Sequence, residues 1–426
     1  MSTADQHQTD SGAPPSDQWA DTPVPMSERL PWFKPALVWL GFSTQFISFY
    51  VGGQVERAVG MPNAVIGILI GCVILSIISG LIAWASAKWG YSFPMQCKAT
   101  FGTKGFLIPS LFLAVLVTGW FAYQALATGD VWHKVWGVHP GWASFVFALL
   151  FAATAFKFKW MIWARYLAVP ALIIFIGYLF VFTIIPNWNL AWTHKVENPN
   201  ISIAITTGIS FFIISSIMTG DMVRFCKTPL DSVWVTIVAF MVGNGIALSM
   251  GALATAASPD LSQWFGMVAL QLGIPLVLTT TWINWASGDA CLYNAVMGFT
   301  NAHKKIKWKY SIMFVGLFGA IAAGTGALST VVPFMLMIGT LVPPIGGVLI
   351  ADYYWVRGGS YEHERNLGWN WIGLSSIFIG ILFAWLSLKV FPSLPNQITG
   401  VVIGGLAYGL LASAFGKQVG LYPTRG

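Results

Sequence analysis

The chain has 426 residues, of which 56% are hydrophobic and only 9% charged, and its mean hydropathy is +0.70. That composition excludes a soluble domain and marks a polytopic, all-α membrane protein. The net charge of +7 invites a nucleic-acid reading, but the placement of the basic residues explains it as topology marking instead.

Residues 1–35 are polar and rich in Ser, Asp, Gln and Pro, which predicts a disordered cytoplasmic tail. They lack a basic region followed by an apolar one, so no cleavable signal peptide is expected and the first span itself targets the membrane. A bilayer core needs about 20 apolar residues per helix. The chain supplies about twelve such windows: 36–55, 61–87, 106–129, 141–156, 161–185, 201–219, 232–257, 265–300, 308–327, 330–352, 368–390 and 397–415, numbered here as spans 1 to 12. The eighth window is long enough to include a re-entrant or tilted stretch. A short tail, 416–426, follows.

With the N-terminus inside, 18 basic residues fall in cytoplasmic segments and only Arg57, Lys134, Lys195 and Lys389 fall outside, which accounts for all 22 Lys and Arg. One missed or extra span would scramble this bias, so it supports an even span count with both termini in the cytoplasm. Clusters such as His303-Lys304-Lys305-Ile306-Lys307 read as topology signals rather than ligand sites.

Twelve spans suggest a secondary transporter built from an inverted repeat, with spans 1–5 (36–185) and 6–10 (201–354) as the repeats and spans 11–12 (368–415) as extras. In that plan the first helix of each repeat breaks at the midplane. Span 1 carries Gly41, Ser43, Thr44, Gln45, Ser48 and Gly52-Gly53, and span 6 carries Gly208, Ser210, Ser215, Ser216, Thr219 and Gly220. Such residues weaken helix commitment and free backbone groups for ions and substrate, although small residues also serve ordinary helix packing.

The polar residues inside these spans need partners or a function. Trp120 and Gln124 in span 3 are one turn apart and share a face. A flat aromatic surface beside an amide suits a flat, neutral, hydrogen-bonding ligand. Gln45 in span 1 adds a second midspan amide without fixed charge. Phe211 and Phe212, beside the expected break in span 6, are candidates for the opposite wall of a stacking site, with Ser215 and Asn284 as further substrate contacts. Asp289 in span 8 reads as a proton-coupling, cation-attracting or gating group, or as a structural helix anchor. Asp221 and Arg224 close span 6, three residues apart, as a gate, an anchor or an interfacial ion pair, and Asp352 closes span 10 in the same manner. The four cysteines show no metal-ligand spacing, and the six histidines all lie in the tail or loops, so no catalytic constellation and no enzyme activity are expected.

At these residues the chain resembles the nucleobase:cation symporter family, most of all its cytosine permease branch. Pro343-Pro344-Ile345-Gly346-Gly347-Val348-Leu349-Ile350-Ala351-Asp352-Tyr353 is similar to that branch's PPxGGxxIADY, and Thr219–Phe225 to its TADFVRF. Gly119-Trp120-Phe121, Asp289-Ala290-Cys291-Leu292-Tyr293 and the loop Phe101-Gly102-Thr103-Lys104-Gly105 follow in the same order as their counterparts. The resemblance implies a leucine-transporter-type 5+5 inverted repeat with the substrate site between spans 1, 3, 6 and 8. It makes Trp120 the residue that stacks on the base and Phe212 the aromatic of the facing wall. Gln124 departs from the cytosine branch and resembles the Trp-x-x-x-Gln pattern of the hydantoin-transporting branch, as does Gln45. The family's cation site carries over to backbone groups of Gly41 and Thr44 and to Ile283, Ala286 and Ser287. Of these three span-8 positions only Ser287 keeps a side-chain oxygen, so proton coupling through Asp289 is an alternative to sodium.

The expected function is import of a nucleobase, cytosine first, by cation symport and alternating access across the inner membrane. The alternatives are a symporter for hydantoin, allantoin, a thiamine-precursor pyrimidine or another base, or a non-transporting channel or sensor. The expected partners are a small planar heterocycle, a coupling sodium ion or proton, and the lipid bilayer. No cofactor and no nucleic acid are expected.

Overall fold

The structure, a computed structural model, describes residues 22–43, 45–155, 158–258, 264–302, 306–326, 331–363, 365 and 367–422. Among these residues the chain is helical, with no strand. Seven helical runs are long and apolar enough to cross a membrane: Asn63–Trp89, Leu107–Trp136, Tyr166–Ile184, Pro229–Ala257, Phe334–Val356, Trp371–Val390 and Asn396–Phe415. They correspond to spans 2, 3, 5, 7, 10, 11 and 12. Spans 4 and 9 are the shorter apolar helices Pro140–Thr154 and Trp308–Gly324. Span 8 is one unbroken helix, Trp264–Ala302, with Pro275 inside it. The re-entrant stretch considered for that window is therefore absent, and the extra length is simply a long helix.

The remaining two spans are broken where Gly and Ser are concentrated. Span 1 consists of Phe33–Ser43 and Phe46–Val59, and Gln45 between them is extended at φ −94°, ψ 149°. Span 6 consists of Ser202–Ser210, Ile213–Ile217 and Gly220–Val223. Phe212 at its break leaves helical geometry at φ −120°, ψ 18°. Irregular backbone at this depth is tolerated only where protein buries it, and both breaks are buried. Small residues allow this. Spans 2 and 6 meet backbone to backbone at Gly71 and Gly208, where a Cβ on Gly208 would lie 2.6 Å from the Ile68 carbonyl oxygen.

Spans 3 and 8 run antiparallel in a fixed register. Trp132 Nε1 donates to Thr281 Oγ1 at 2.9 Å, and Asn284 Nδ2 donates to Thr128 Oγ1 at 3.0 Å. Towards the start of span 3 and the end of span 8, Gly298 sits against Ser110 and Ala114, and a Cβ there would be 3.1 Å from the Ser110 carbonyl oxygen.

Two features correct the sequence reading. The tail expected over 1–35 is packed from residue 22 onward, and residues 1–21 lie outside the described chain. Val24 is buried, Arg29 reaches the Ala87 carbonyl, and Leu30 N donates to Phe225 O at 2.6 Å. The buried guanidinium donates to the Ala87 carbonyl near the end of span 2 and to the Val24 carbonyl of its own segment, which fixes the segment against that end of span 2. Between spans 2 and 3 there is also a nine-residue helix, Phe93–Phe101, that the hydropathy windows skip. It is too short to register as a span and is held from outside. Phe93 N donates to Asp221 Oδ1 at 2.9 Å, so this carboxylate of span 6 satisfies one of its free N-terminal donors. At its other end Thr100 Oγ1 donates to Asp352 Oδ2 at 2.9 Å, and Arg357 donates to the Ala99 carbonyl.

Candidate functional site

Trp120 is buried in span 3, and its ring meets three others edge-on. Phe211 lies at 5.3 Å between centroids and 64° between planes, Phe334 at 5.4 Å and 74°, and Tyr123 at 6.1 Å and 72°. The break in span 6 turns its two adjacent phenylalanines in different directions. Phe211 packs on Trp120, whereas Phe212 packs on Phe42 at 5.5 Å and Phe240 at 6.0 Å, in spans 1 and 7. The contact across from Trp120 is thus Phe211. A planar ring held between two aromatic faces needs about 7 Å between those faces, twice a carbon–carbon contact distance. The direct edge contact of Trp120 and Phe211 leaves no such gap between them.

One turn along span 3, Gln124 Nε2 donates to Gln45 Oε1 at the break of span 1. Both amides are buried, and Gln124 Oε1 has no hydrogen-bond partner among the described residues. Gly288 of span 8 makes room beside them, since a Cβ there would lie 2.8 Å from the Phe151 ring and 3.6 Å from Gln124 Cβ. Asn284 is one turn further out on span 8 and is tied to Thr128, whose hydroxyl in turn donates to the Gln124 carbonyl at 2.9 Å. Ser215 is buried in the segment Ile213–Ile217, beyond the break. The fold therefore brings Gln45, Trp120, Gln124 and Phe211 together, with Asn284 joined to Gln124 through Thr128, while the Phe212 ring packs toward Phe42 and Phe240.

Of the expected cation-site residues, Thr44 lies outside the described residues. Gly41 is buried in the last turns of Phe33–Ser43, and Ala286 is buried in span 8. Ile283 belongs to an apolar cluster with Phe46, Phe49, Phe175 and Ala247, so its side chain offers packing and no ligand. Ser287 Oγ is buried with no hydrogen-bond partner among the described residues. Asp289, two residues on, is fully buried.

Asp352 has partners that no local sequence pattern announces. Arg357 Nε and Arg365 Nη1 pair with its two oxygens at 2.9 and 2.6 Å, and Tyr408 donates at 2.7 Å. Asn370 Nδ2 joins the same network through Tyr408 at 3.1 Å and the Thr100 carbonyl at 2.8 Å. This buried carboxylate binds the end of span 10 to the loop helix, to the segment leading into span 11 and to span 12. The Ala-Asp-Tyr ending of the Pro-Pro motif was the available signal. Its partners lie up to 252 residues away, beyond any local pattern.

The family model described as permease for cytosine/purines, uracil, thiamine and allantoin matches residues 23–409. The chain belongs to this permease family. Cytosine permease of Escherichia coli strain K12 is 27% identical over 93% of this permease and 94% of its own length. Hydantoin permease of Microbacterium maritypicum is 22% identical over 83% and 81%. Among solved structures, Mhp1, a nucleobase-cation-symport-1 family transporter in a closed conformation with bromovinylhydantoin bound, superimposes with a TM-score of 0.80 at 18% identity, covering 95% of this chain and 97% of that one. The permease shares that leucine-transporter-type fold, which bears out the expected fold class and family.

Proposed function

We propose that this permease imports a planar nucleobase-type heterocycle, cytosine first, in symport with a cation, and that it performs no covalent chemistry. The observation that carries the reading is the grouping of Trp120 and Phe211 beside the Gln45–Gln124 amide pair, at the point where two helices break. When Trp120 and Phe211 separate, a ring enters between them, with Ser215 and backbone groups of span 6 nearby. Its edge then exchanges hydrogen bonds with the two amides in place of the bond they make to each other. A ligand bearing both donors and acceptors replaces that bond without leaving an amide unsatisfied, and a charged one does not match. The amide pair also supports a second reading, in which the ligand is hydantoin, allantoin or a related pyrimidine or purine.

Sodium is the first choice for the coupling ion. Carbonyls of Gly41 and Thr44, the backbone at Ile283 and Ala286 and the open hydroxyl of Ser287 supply oxygen ligands of the kind a hard cation takes. Proton coupling through Asp289 is the alternative. On the cytoplasmic side Asp221, anchored to Phe93, and its neighbour Arg224 suit an inner latch. The reading includes repeats over 36–185 and 201–354, both termini in the cytoplasm and residence in the inner membrane.

The test is a thermal-shift panel on purified protein with nucleobases, hydantoin and allantoin, each in sodium or choline at two pH values. A ligand at 100 times its Kd adds about 2.7 kcal/mol to the folded state. Stabilisation by one heterocycle that grows with sodium at fixed pH is expected. Dependence on pH alone assigns the coupling to Asp289, and a panel without any stabilising heterocycle overturns the proposal.

A further inference from the structure

Span 8 carries three buried polar side chains with open hydrogen-bonding capacity. Asn284 uses Nδ2 on Thr128 and leaves Oδ1 without a partner among the described residues. Ser287 Oγ has none, and Asn294 has none at either Nδ2 or Oδ1. All three residues are 0% exposed. A helix inside a membrane protein rarely keeps an amide unsatisfied at both ends, because neither lipid nor apolar side chains repay its lost hydration. A group of this kind points to another state of the molecule in which water or an ion meets it.

Helix geometry says where Asn294 stands. It follows Ser287 by seven residues, which is two turns, about 10 Å along the axis and within about 20° of the same face. The register between spans 3 and 8 sets the depth. Gly288 packs at Gln124, and Gly298 packs at Ser110 and Ala114. Asn294 therefore lies between those levels, on the cytoplasmic side of the substrate site. It shares its stripe with Ile283 and Ser287, the span-8 side of the proposed cation site, and Ala290 is the residue between them. The inner half of span 1, Phe33–Ser43, packs against span 8 as well.

We propose that Asn294 is an inner transit site for the coupling cation, which it meets after release from Ser287 and before the cytosol. This inference rests on the sodium-symport reading above. A carboxamide fits the task. Its Oδ1 is an oxygen ligand for a hard monovalent cation, and its neutrality keeps the ion weakly held, as a site on an exit route requires. In this structure the amide is buried without a partner among the described residues. Movement of the inner half of span 1 away from span 8 hydrates it.

The experiment uses the full chain in proteoliposomes with labelled cytosine and compares two modes. Net uptake driven by a sodium gradient requires sodium release on every cycle. Exchange of internal for external cytosine, with saturating sodium on both sides, does not. Asn294→Ala is expected to slow net uptake about tenfold and leave exchange within about twofold, and Asn294→Ser, which keeps an oxygen, to recover most of the loss. The melting temperature of Asn294→Ala is expected to stay level or rise, since the variant removes an unsatisfied buried amide. Equal loss in both modes with a lowered melting temperature means a structural role and overturns the proposal, as does unchanged net uptake. A shifted cytosine half-saturation with an unchanged sodium response assigns the group to the substrate and also overturns it. Wild-type protein that takes up cytosine without dependence on sodium overturns the sodium-symport reading itself, and the transit site falls with it.

Discussion

Replacing Trp120 by alanine separates the stacking role from the packing role of this ring. Trp120 is 4% exposed and meets Phe211, Phe334 and Tyr123 edge-on. Deleting it opens a cavity among three rings and destabilises the fold by about 3–5 kcal/mol. Loss of a base-on-aromatic stack costs binding about 1–3 kcal/mol, which is roughly a 5- to 160-fold increase in Kd. The two effects are told apart with Trp120→Phe, which keeps a ring and much of the contact. The assay is uptake half-saturation normalised to surface protein, together with ligand-induced thermal stabilisation of the purified variants. Trp120→Ala is expected to raise the half-saturation concentration at least about tenfold, and Trp120→Phe only a few-fold. An alanine variant that reaches the membrane and keeps its half-saturation within about twofold refutes the stacking argument.

Two further predictions concern buried polar contacts. Gln45→Leu and Gln124→Leu each strand one amide of a bonded pair, so the double variant is expected to lose less stability than the two single ones together, with a coupling of about 1–2 kcal/mol in a double-mutant cycle; strict additivity would show that the amides do not meet. Asp352→Asn leaves Arg357 and Arg365, whose side chains are 5% and 7% exposed, without their counter-charge. It is expected to cost about 3–5 kcal/mol, read as a lost folded fraction on heating in detergent, and Arg365→Leu in the same chain is expected to recover part of it.

Much of the architecture is written locally. Apolar run length is additive along the chain, so it yields about twelve spans without any contact being known, and the bias of basic residues predicts an orientation in the same way. Gly and Ser concentrated in spans 1 and 6 mark the two breaks for the same reason, since helix commitment is a local property. Trp120 and Gln124 stand out because they are polar or flat where the bilayer wants neither, and the packing does bring Gln124 onto Gln45.

The rest depends on which surfaces meet. The broken backbone of span 6 rotates Phe211 toward Trp120 and Phe212 toward Phe42, a choice that two adjacent identical residues cannot announce. The loop helix Phe93–Phe101 is held by carboxylates 128 and 252 residues away from the groups they bind. The value of an amide such as Asn294 lies in the partners it lacks, and only a packed interior defines that. Hydropathy and helix breaking are sums over neighbours in sequence, so the sequence by itself determines the spans and where they break. Hydrogen-bond satisfaction and ring contact are pairwise in space, so only the tertiary structure decided which phenylalanine meets Trp120, which carboxylates hold the loop helix and which buried polar groups keep open hydrogen-bonding capacity.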